Sequence, residues 1–167
     1  ARAGDVPERV THNDTKINNI LFDENSGDAL CVIDLDTVMP GSPLYDFGDM
    51  VRAGAARSDE DETDLSKAGL DVAMFTQLAR GYVRAARGFL PLAEFELLAF
   101  AAKLITYEQA LRFLGDHLNG DTYYKIHRPN QNLDRARTQI KLISDIEKQM
   151  GVMEAIIDRC RNEEEKP

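Results

Sequence analysis

The chain is short and acidic, with 167 residues, 20 Lys and Arg, 29 Asp and Glu, and a formal net charge of -9. The length fits a single domain with its own hydrophobic core. The negative charge argues against nucleic acid or an anionic membrane surface as a partner, because both require a cationic face. No apolar run approaches the roughly 18 residues of a membrane span. The 2 cysteines lie far apart in the chain, which predicts a reducing, cytoplasmic location without disulfides.

A β-hairpin is predicted in the first third of the chain. Residues 20–22 and 29–33 are short apolar runs, and residues 23–28 between them have the Asp, Asn, Ser and Gly composition of a turn. Cys31 is expected to be a small core residue of the second strand. The proline-containing residues 39–43 are predicted to be an irregular loop, and the polar residues 57–63 a solvated one.

The remainder of the chain is predicted to be helical. Hydrophobic spacing indicates four helical segments, which are residues 64–87, 92–118, 133–150 and 152–161. Asp64 is the predicted N-cap of the first segment. The fold class is therefore α+β and mainly α.

All of these elements are assigned to one domain over residues 1–167. Its first part, residues 1–50, carries a loop and the hairpin. Residues 64–161 form the helical part, and residues 162–167 are predicted to be a charged, frayed tail.

Oxygen-bearing side chains are expected to meet at one end of the hairpin. Residues 12–19 read H-N-D-T-K-I-N-N, with Asp14 in a loop and Asn19 directly before the first strand. Asp34 and Asp36 follow the second strand. Because antiparallel strands return the chain to its starting end, Asn19 and Asp34 should lie close together, with Asp14 in the adjoining loop.

This set of side chains is suited to phosphoryl transfer. Mg²⁺ prefers carboxylate and amide oxygens together with phosphate. Asn19 and Asp34 are therefore predicted as metal ligands, with Asp36 as a further ligand or a supporting group. Asp14 is predicted as the catalytic base, a carboxylate that orients an acceptor hydroxyl and accepts its proton.

These motifs resemble the C-terminal lobe of the aminoglycoside phosphotransferase/choline kinase family, which has a protein-kinase-like fold. The resemblance is closest to the N-acetylhexosamine kinase branch. It is carried by residues 11–23, T-H-N-D-T-K-I-N-N-I-L-F-D, and by residues 32–38, V-I-D-L-D-T-V. Residues 112–123 and 132–137 are similar to that branch as well. The resemblance implies a lobe with a catalytic loop, a short hairpin and several long helices. It also implies Mg²⁺-dependent phosphorylation of a sugar hydroxyl, with ATP as the phosphate donor.

The resemblance suggests roles for further residues. Lys16 would balance phosphate charge, although a solvated surface lysine fits the sequence equally well. His12 is expected to support the loop by hydrogen bonds to backbone rather than to act as a base. Arg112 and Tyr123 would contact the sugar, since arginine and tyrosine supply donors and a stacking face. The alternative is that Arg112 pairs with a carboxylate such as Asp116 and that Tyr123 packs in the turn.

Residues 46–48 spell D-F-G, the metal-binding motif of protein kinases. Here the motif follows a Pro/Gly loop instead of ending a hairpin strand, so Asp34 and Asp36 are predicted to take the metal role. Asp46 is predicted to be structural, either capping the next helix or holding the catalytic loop.

Two other functions fit parts of the sequence. The run D-L-D-T-V also matches haloacid-dehalogenase-type phosphatases, in which Asp34 would be the nucleophile and Asp36 the acid/base. That fold requires a parallel sheet after the motif, where helices are predicted, and it leaves residues 12–19 unexplained. The other alternative is a non-catalytic helical binding module.

A kinase of this kind also needs an N-terminal lobe, with a phosphate-covering loop and a lysine paired to a helix glutamate. Few residues precede His12, and they contain no glycine-rich segment. The chain is therefore expected to be the C-terminal lobe of a longer kinase, with the missing lobe as its partner and a hydroxyl-bearing small molecule as its substrate. Alone, it is expected to bind ATP weakly and not to turn over.

Overall fold

A computed structural model describes residues 6–163, and within them two small antiparallel sheets precede the helices. The strands are Arg9–Thr11 (β1), Ile20–Phe22 (β2), Ala29–Val32 (β3) and Met39–Gly41 (β4). The helices are Pro43–Gly54 (α1), Val72–Ala86 (α2), Leu92–Phe95 (α3), Leu98–Leu118 (α4) and Gln131–Asn162 (α5). This architecture agrees with the predicted α+β, mainly α class. No helix among the described residues could cross a membrane.

The β2–β3 hairpin confirms the predicted pairing. Leu21 lies opposite Cys31 in the register of the two strands. Asp23 closes the turn, because its carboxylate accepts hydrogen bonds from the backbone N–H groups of Asn25 and Ser26. Cys31 is exposed, and its assignment to the core was therefore wrong. A two-stranded ribbon that no other layer covers has no buried face for such a residue.

The second sheet contradicts the irregular loop predicted for residues 39–43. β4 pairs with β1, and Pro40 lies opposite Val10. Both strands are edges, where proline is tolerated because its missing N–H can face away from the partner strand. α1 follows at once, since the hydroxyl of Ser42 accepts a hydrogen bond from the N–H of Leu44 and caps the helix.

The first predicted helix begins later than expected. α2 starts at Val72 rather than at residue 64, because Asp71 caps it by accepting a hydrogen bond from the N–H of Met74. Residues 64–71 are turns instead, and Leu70 donates its N–H to Asp145 of α5. Residues 69–71 also pair with residues 55–57 after α1, so their backbone groups are engaged outside α2.

The remaining helix boundaries differ from the prediction in two places. The segment predicted at residues 92–118 is divided into α3 and α4. The segments predicted at 133–150 and 152–161 form one helix, α5, which ends at Asn162. Glycine in an exposed helix costs only about 1 kcal/mol, so Gly151 does not interrupt α5. Residues 164–167 of the predicted tail lie outside the described residues.

The hydrophobic core lies between α1, α2, α4 and α5. Phe47, Phe75 and Leu98 are among its fully buried side chains. α1 approaches α4 closely at Gly48, where a Cβ atom would lie 2.6 Å from the carbonyl oxygen of Ala101. The D-F-G segment is therefore part of the helix packing, since its phenylalanine fills the core and its glycine permits the contact.

The strand pairing also decides against the phosphatase alternative. Both strand pairs within residues 6–163 are antiparallel, and the described chain after Asp36 is mainly helical. A haloacid-dehalogenase fold would need a parallel sheet in that region.

Candidate active site

The loop of residues 12–19 is anchored on α1 by Asp46. The two carboxylate oxygens of Asp46 accept hydrogen bonds from the backbone N–H groups of His12 and Asn13, at 2.9 and 2.7 Å. The hydroxyl of Thr15 donates to the carbonyl oxygen of Asp46. Asp46 therefore binds the backbone before Asp14 and the side chain of Thr15 after it.

The segment after the hairpin also forms hydrogen bonds with the 12–19 loop. The hydroxyl of Thr37 donates to the carbonyl oxygen of His12 at 2.7 Å. The side-chain amide of Asn13 donates back to the carbonyl oxygen of Thr37 at 3.0 Å. With both sides of the loop bonded, the backbone around Asp14 has little freedom to move.

The end of the hairpin meets this loop as the antiparallel geometry predicts. The His12 Nε2 atom lies 3.0 Å from the carbonyl oxygen of Ile33, and the N–H of Ile33 donates to the carbonyl oxygen of Asn19 at 2.9 Å. Asp34 follows directly, in a left-handed conformation with φ of 64°. Asp36 lies in the next turn, and both carboxylates are on the surface.

Asp14 lies in a small polar cluster. Its Oδ2 atom accepts hydrogen bonds from Lys16 Nζ and Asn19 Nδ2, each at 2.8 Å. Burial raises the pKa of the Asp14 carboxyl, but the hydrogen bonds from Lys16 and Asn19 and the Lys16 charge lower it more, so the net pKa is below the usual aspartate value. Asp14 is consequently ionised at neutral pH.

Lys16 is held charged by its surroundings. Burial lowers the pKa of its ammonium group, whereas the hydrogen bond to Asp14 and the charges of Asp14, Asp34 and Asp49 raise it, and the net shift is upward. Lys16 is therefore charged at neutral pH and directly paired with Asp14.

Replacing Lys16 with methionine is expected to raise the pKa of Asp14. The variant loses the hydrogen bond and the positive charge that lower this pKa, while the burial that raises it remains. NMR titration of the Asp14 carboxyl carbon in the 167-residue chain measures the shift. Lys103→Met is the control, because Lys103 pairs with Glu147 and should leave the Asp14 pKa unchanged. An Asp14 pKa that stays constant in Lys16→Met would contradict the assigned coupling.

Asp14 and Lys16 line a cleft of about 650 Å³. Arg112 and Tyr123, from the helical half, line the same cleft. The tertiary structure thus brings together residues that are about 100 positions apart in the sequence. The described lining does not include the other predicted site residues, which are His12, Asn19, Asp34 and Asp36.

Arg112 packs on aromatic rings instead of pairing with Asp116. Its guanidinium carbon lies 5.8 Å from the ring centroid of Tyr123 and 5.7 Å from that of Tyr124. Asp116 is occupied by backbone N–H groups of the loop after α4, so the alternative Arg112–Asp116 pair is not formed. Tyr123 is 74% exposed, and its ring packs edge-on against Tyr124.

An ion-pair chain on the cleft wall was not predicted. Arg52 is 8% exposed and donates to Asp49 at 2.8 Å and to Glu60 at 2.6 Å. Glu60 also lies 3.7 Å from Arg135 of α5. The (i, i+3) spacing of Asp49 and Arg52 was the available signal. Glu60 belongs to the segment 57–63 and is engaged in these pairs, which corrects the prediction of a wholly solvated loop.

No three His, Cys, Asp or Glu side chains come together as a metal-binding group within residues 6–163. The predicted ligand set differs from such a group because it includes an amide. Both hydrogen bonds that Asn19 donates to Asp14 come from its Nδ2 atom. The Oδ1 atom is therefore the part of Asn19 that can bind a cation.

The family relationship agrees with this arrangement of a carboxylate loop and a hairpin. The family model APH, described as the phosphotransferase enzyme family, matches residues 1–94. The match includes the 12–19 loop, both hairpin strands, Asp34 and Asp46, and it covers more than half of the 167 residues. The chain therefore belongs to the phosphotransferase enzyme family.

Proposed function

We propose that residues 1–167 form the C-terminal lobe of a protein-kinase-like enzyme that transfers the γ-phosphate of ATP to a sugar hydroxyl. The observation that carries this proposal is the position of Asp14. Its ionised carboxylate lines the cleft beside Lys16 and Asn19, and Arg112 and Tyr123 stand in the same cleft.

In this proposal Asp14 is the catalytic base. Lys16 and Asn19 both donate to its Oδ2 atom, which leaves Oδ1 to accept a hydrogen bond from the acceptor hydroxyl. The carboxylate orients that hydroxyl toward the γ-phosphate and receives its proton as the new P–O bond forms, while the bond from the γ-phosphorus to the bridging oxygen breaks and ADP leaves. The anchoring of the loop on Asp46 supports the role, because phosphoryl transfer depends chiefly on positioning.

Asn19 and Asp34 would hold Mg²⁺, with Asp36 as a further ligand or a supporting group. The donor set fits this ion, since Mg²⁺ is commonly bound by one or two protein oxygens together with substrate phosphates and water. When bound, Mg²⁺ neutralises phosphate charge and keeps the phosphates in place. Lys16 is charged and close to Asp14, and it would contribute a second positive charge.

Replacing Asp34 with alanine is expected to weaken divalent cation binding. The variant loses a carboxylate ligand and keeps Asn19, so the remaining site is incomplete. Paramagnetic broadening of NMR signals by Mn²⁺, titrated into the 167-residue chain, measures the affinity near Asn19. Asp28→Ala is the control, because Asp28 lies in the hairpin turn. Equal Mn²⁺ affinity in both variants would argue against the ligand role of Asp34.

The charges of the cleft favour an uncharged sugar, such as an N-acetylhexosamine, over a polycationic aminoglycoside. Asp14 pairs with Lys16, and Asp49 and Glu60 pair with Arg52. The lining contains one further acidic residue, Glu108, and three further cationic ones, Arg112, Lys125 and Arg135. Carboxylates that already have cationic partners offer little attraction to a ligand with several amino groups. Arg112 and Tyr123 supply a donor and an aromatic face, which suit hydroxyl and acetamido groups.

We also propose that a nucleotide-covering N-terminal lobe of the same protein completes the enzyme. The two lobes together form the two-lobed enzyme. Large apolar side chains near the hairpin support this idea. They are exposed in the described part of the chain, and they include Val10, Leu30, Val32 and Leu35. Such a surface is typical of an interface.

A substrate panel tests the proposed function. Saturation-transfer NMR on the 167-residue chain is expected to detect binding of N-acetylglucosamine and N-acetylgalactosamine, and not of kanamycin or choline. Phosphate transfer from ATP to the same sugars is expected in the two-lobed enzyme and not in the 167-residue chain alone. Transfer by the chain alone would refute the need for a second lobe. The sugar proposal would be refuted if neither form bound or phosphorylated any amino sugar.

A further inference from the structure

Asp116, near the end of α4, accepts hydrogen bonds from three consecutive backbone N–H groups. Its Oδ1 atom accepts hydrogen bonds from the N–H groups of Thr122 and Tyr123, at 3.0 and 2.8 Å. Its Oδ2 atom accepts from the N–H of Tyr124 at 3.0 Å. Asp116 is 7% exposed, so these bonds are made largely away from water and the loop depends on them.

The backbone between α4 and these amides turns sharply. Gly120 and Asp121 both have left-handed conformations, with φ values of 89° and 58°. The N–H of Asp121 donates to the carbonyl oxygen of Asp116 at 2.8 Å. This turn points the next three N–H groups at one carboxylate, an arrangement that favours a negative charge at its centre.

Asn132 of α5 joins the same network. It is fully buried, and its Nδ2 atom donates to Asp116 and Asp121, each at 2.9 Å. Its Oδ1 atom accepts from Arg135 at 2.8 Å, and Arg135 lines the cleft. The loop after α4 is therefore tied to two helices through one carboxylate.

Two of the three residues bound by Asp116, Tyr123 and Tyr124, form the aromatic wall of the cleft. Tyr123 and Tyr124 line the cleft, and the hydroxyl of Tyr124 accepts a hydrogen bond from Gln109 at 3.1 Å. The guanidinium of Arg112 lies over both tyrosine rings. A shift of the loop would therefore move the two rings and remove the surface on which Arg112 rests.

We propose that Asp116 is a positioning residue for the acceptor: its carboxylate sets the loop of Thr122, Tyr123 and Tyr124, and thereby places Tyr123 and Arg112 for contact with the sugar. This role rests on the proposed function, because it takes the sugar to be the ligand of the cleft. Asp116 itself does not touch the acceptor, and it acts through the aromatic wall.

An uncharged replacement cannot reproduce this role. A carboxylate has two oxygens that accept only, whereas an asparagine offers one oxygen and an NH₂ group that would face a backbone N–H. Burial raises the pKa of Asp116, but the three backbone N–H groups lower it more, and the net pKa is below the usual value. Asp116 is thus ionised throughout the neutral range.

The experiment compares Asp116→Asn with Asp145→Asn in the 167-residue chain. Asp145 is the matched control, because it also holds a backbone amide, that of Leu70 at 2.8 Å, and pairs with Arg57 at 2.9 Å. Neither residue is part of the described cleft lining. Both variants are expected to lower the thermal unfolding temperature. Only Asp116→Asn is expected to weaken N-acetylglucosamine binding, by about tenfold or more, as measured by NMR titration.

Two further measurements separate positioning from stability. In Asp116→Asn, amide hydrogen exchange at Thr122, Tyr123 and Tyr124 should become faster. In the two-lobed enzyme the KM for the sugar should rise while the KM for ATP is unchanged. Asn132→Ala removes one of the four hydrogen bonds to the Asp116 carboxylate and should weaken sugar binding less. This variant also provides the test if Asp116→Asn does not fold.

The outcomes distinguish this proposal from the function on which it rests. If the wild-type chain binds the sugar and both Asp116→Asn and Asn132→Ala bind it equally well, the positioning role is refuted and the proposed function stands. If Asp145→Asn weakens binding as much as Asp116→Asn does, the effect is one of stability, which also refutes the role. A wild-type chain that binds no sugar refutes the acceptor role of Asp116 in this chain. The proposed function falls with it if the two-lobed enzyme also neither binds nor phosphorylates an amino sugar.

Discussion

Asp14→Asn is expected to lower the kcat of the two-lobed enzyme by about 10²–10⁴-fold, the usual contribution of a positioned acid or base. The asparagine keeps the size of the side chain and an oxygen for Lys16 and Asn19, which both contact Asp14 Oδ2. It loses the charge that, in the proposed mechanism, orients the acceptor hydroxyl and receives its proton. Steady-state kinetics with ATP and N-acetylglucosamine measure the loss.

Nucleotide affinity provides the internal control for this variant. Since Asp14 is not assigned to the metal or to ATP, the Kd for Mg²⁺–ATP should change little. Asp28→Asn, in the exposed hairpin turn, should retain wild-type kcat. A kcat close to the wild-type value in Asp14→Asn would show that the base is another group or that no base is needed.

Asp46→Ala is expected to reduce both stability and activity. The variant leaves the backbone N–H groups of His12 and Asn13 without their acceptor, at a cost of about 1–3 kcal/mol for each unsatisfied group. The unfolding temperature should therefore fall by about 2–4 °C for each kcal/mol lost. Because the same bonds place Asp14, kcat should fall by about 10²-fold. Calorimetry of the 167-residue chain and kinetics of the two-lobed enzyme measure the two effects.

Asp23→Ala is the matched control for Asp46→Ala. Asp23 also accepts two backbone N–H groups, those of Asn25 and Ser26 at 2.9 and 2.8 Å, but it does so in the exposed turn of the hairpin. Its loss should cost some stability and leave kcat unchanged. If Asp46→Ala behaved in the same way, Asp46 would stabilise the fold without positioning Asp14.

The parts of the fold that local chemistry controls were predictable. Two short apolar runs joined by a turn-forming segment predict the β2–β3 hairpin. Its geometry in turn brings Asn19 and the residue before Asp34 together. Helix ends were less predictable, because several residues near them can act as caps. Asp71 caps α2 in place of Asp64, and the residues before it are held by tertiary contacts, such as that of the Leu70 N–H with Asp145.

Three features could be predicted from the sequence, namely the residue types of the site, the hairpin that places Asn19 beside the segment leading to Asp34, and the predominance of helix. They follow from short-range periodicity, turn chemistry and the spacing of polar residues. Three other features became evident in the folded chain: Asp46 anchors the 12–19 loop, Arg112 and Tyr123 share a cleft with Asp14, and Asp116 binds loop N–H groups instead of pairing with Arg112. Each of these contacts depends on where one packed element meets another, and burial of polar groups then selects the partner that satisfies the most hydrogen bonds.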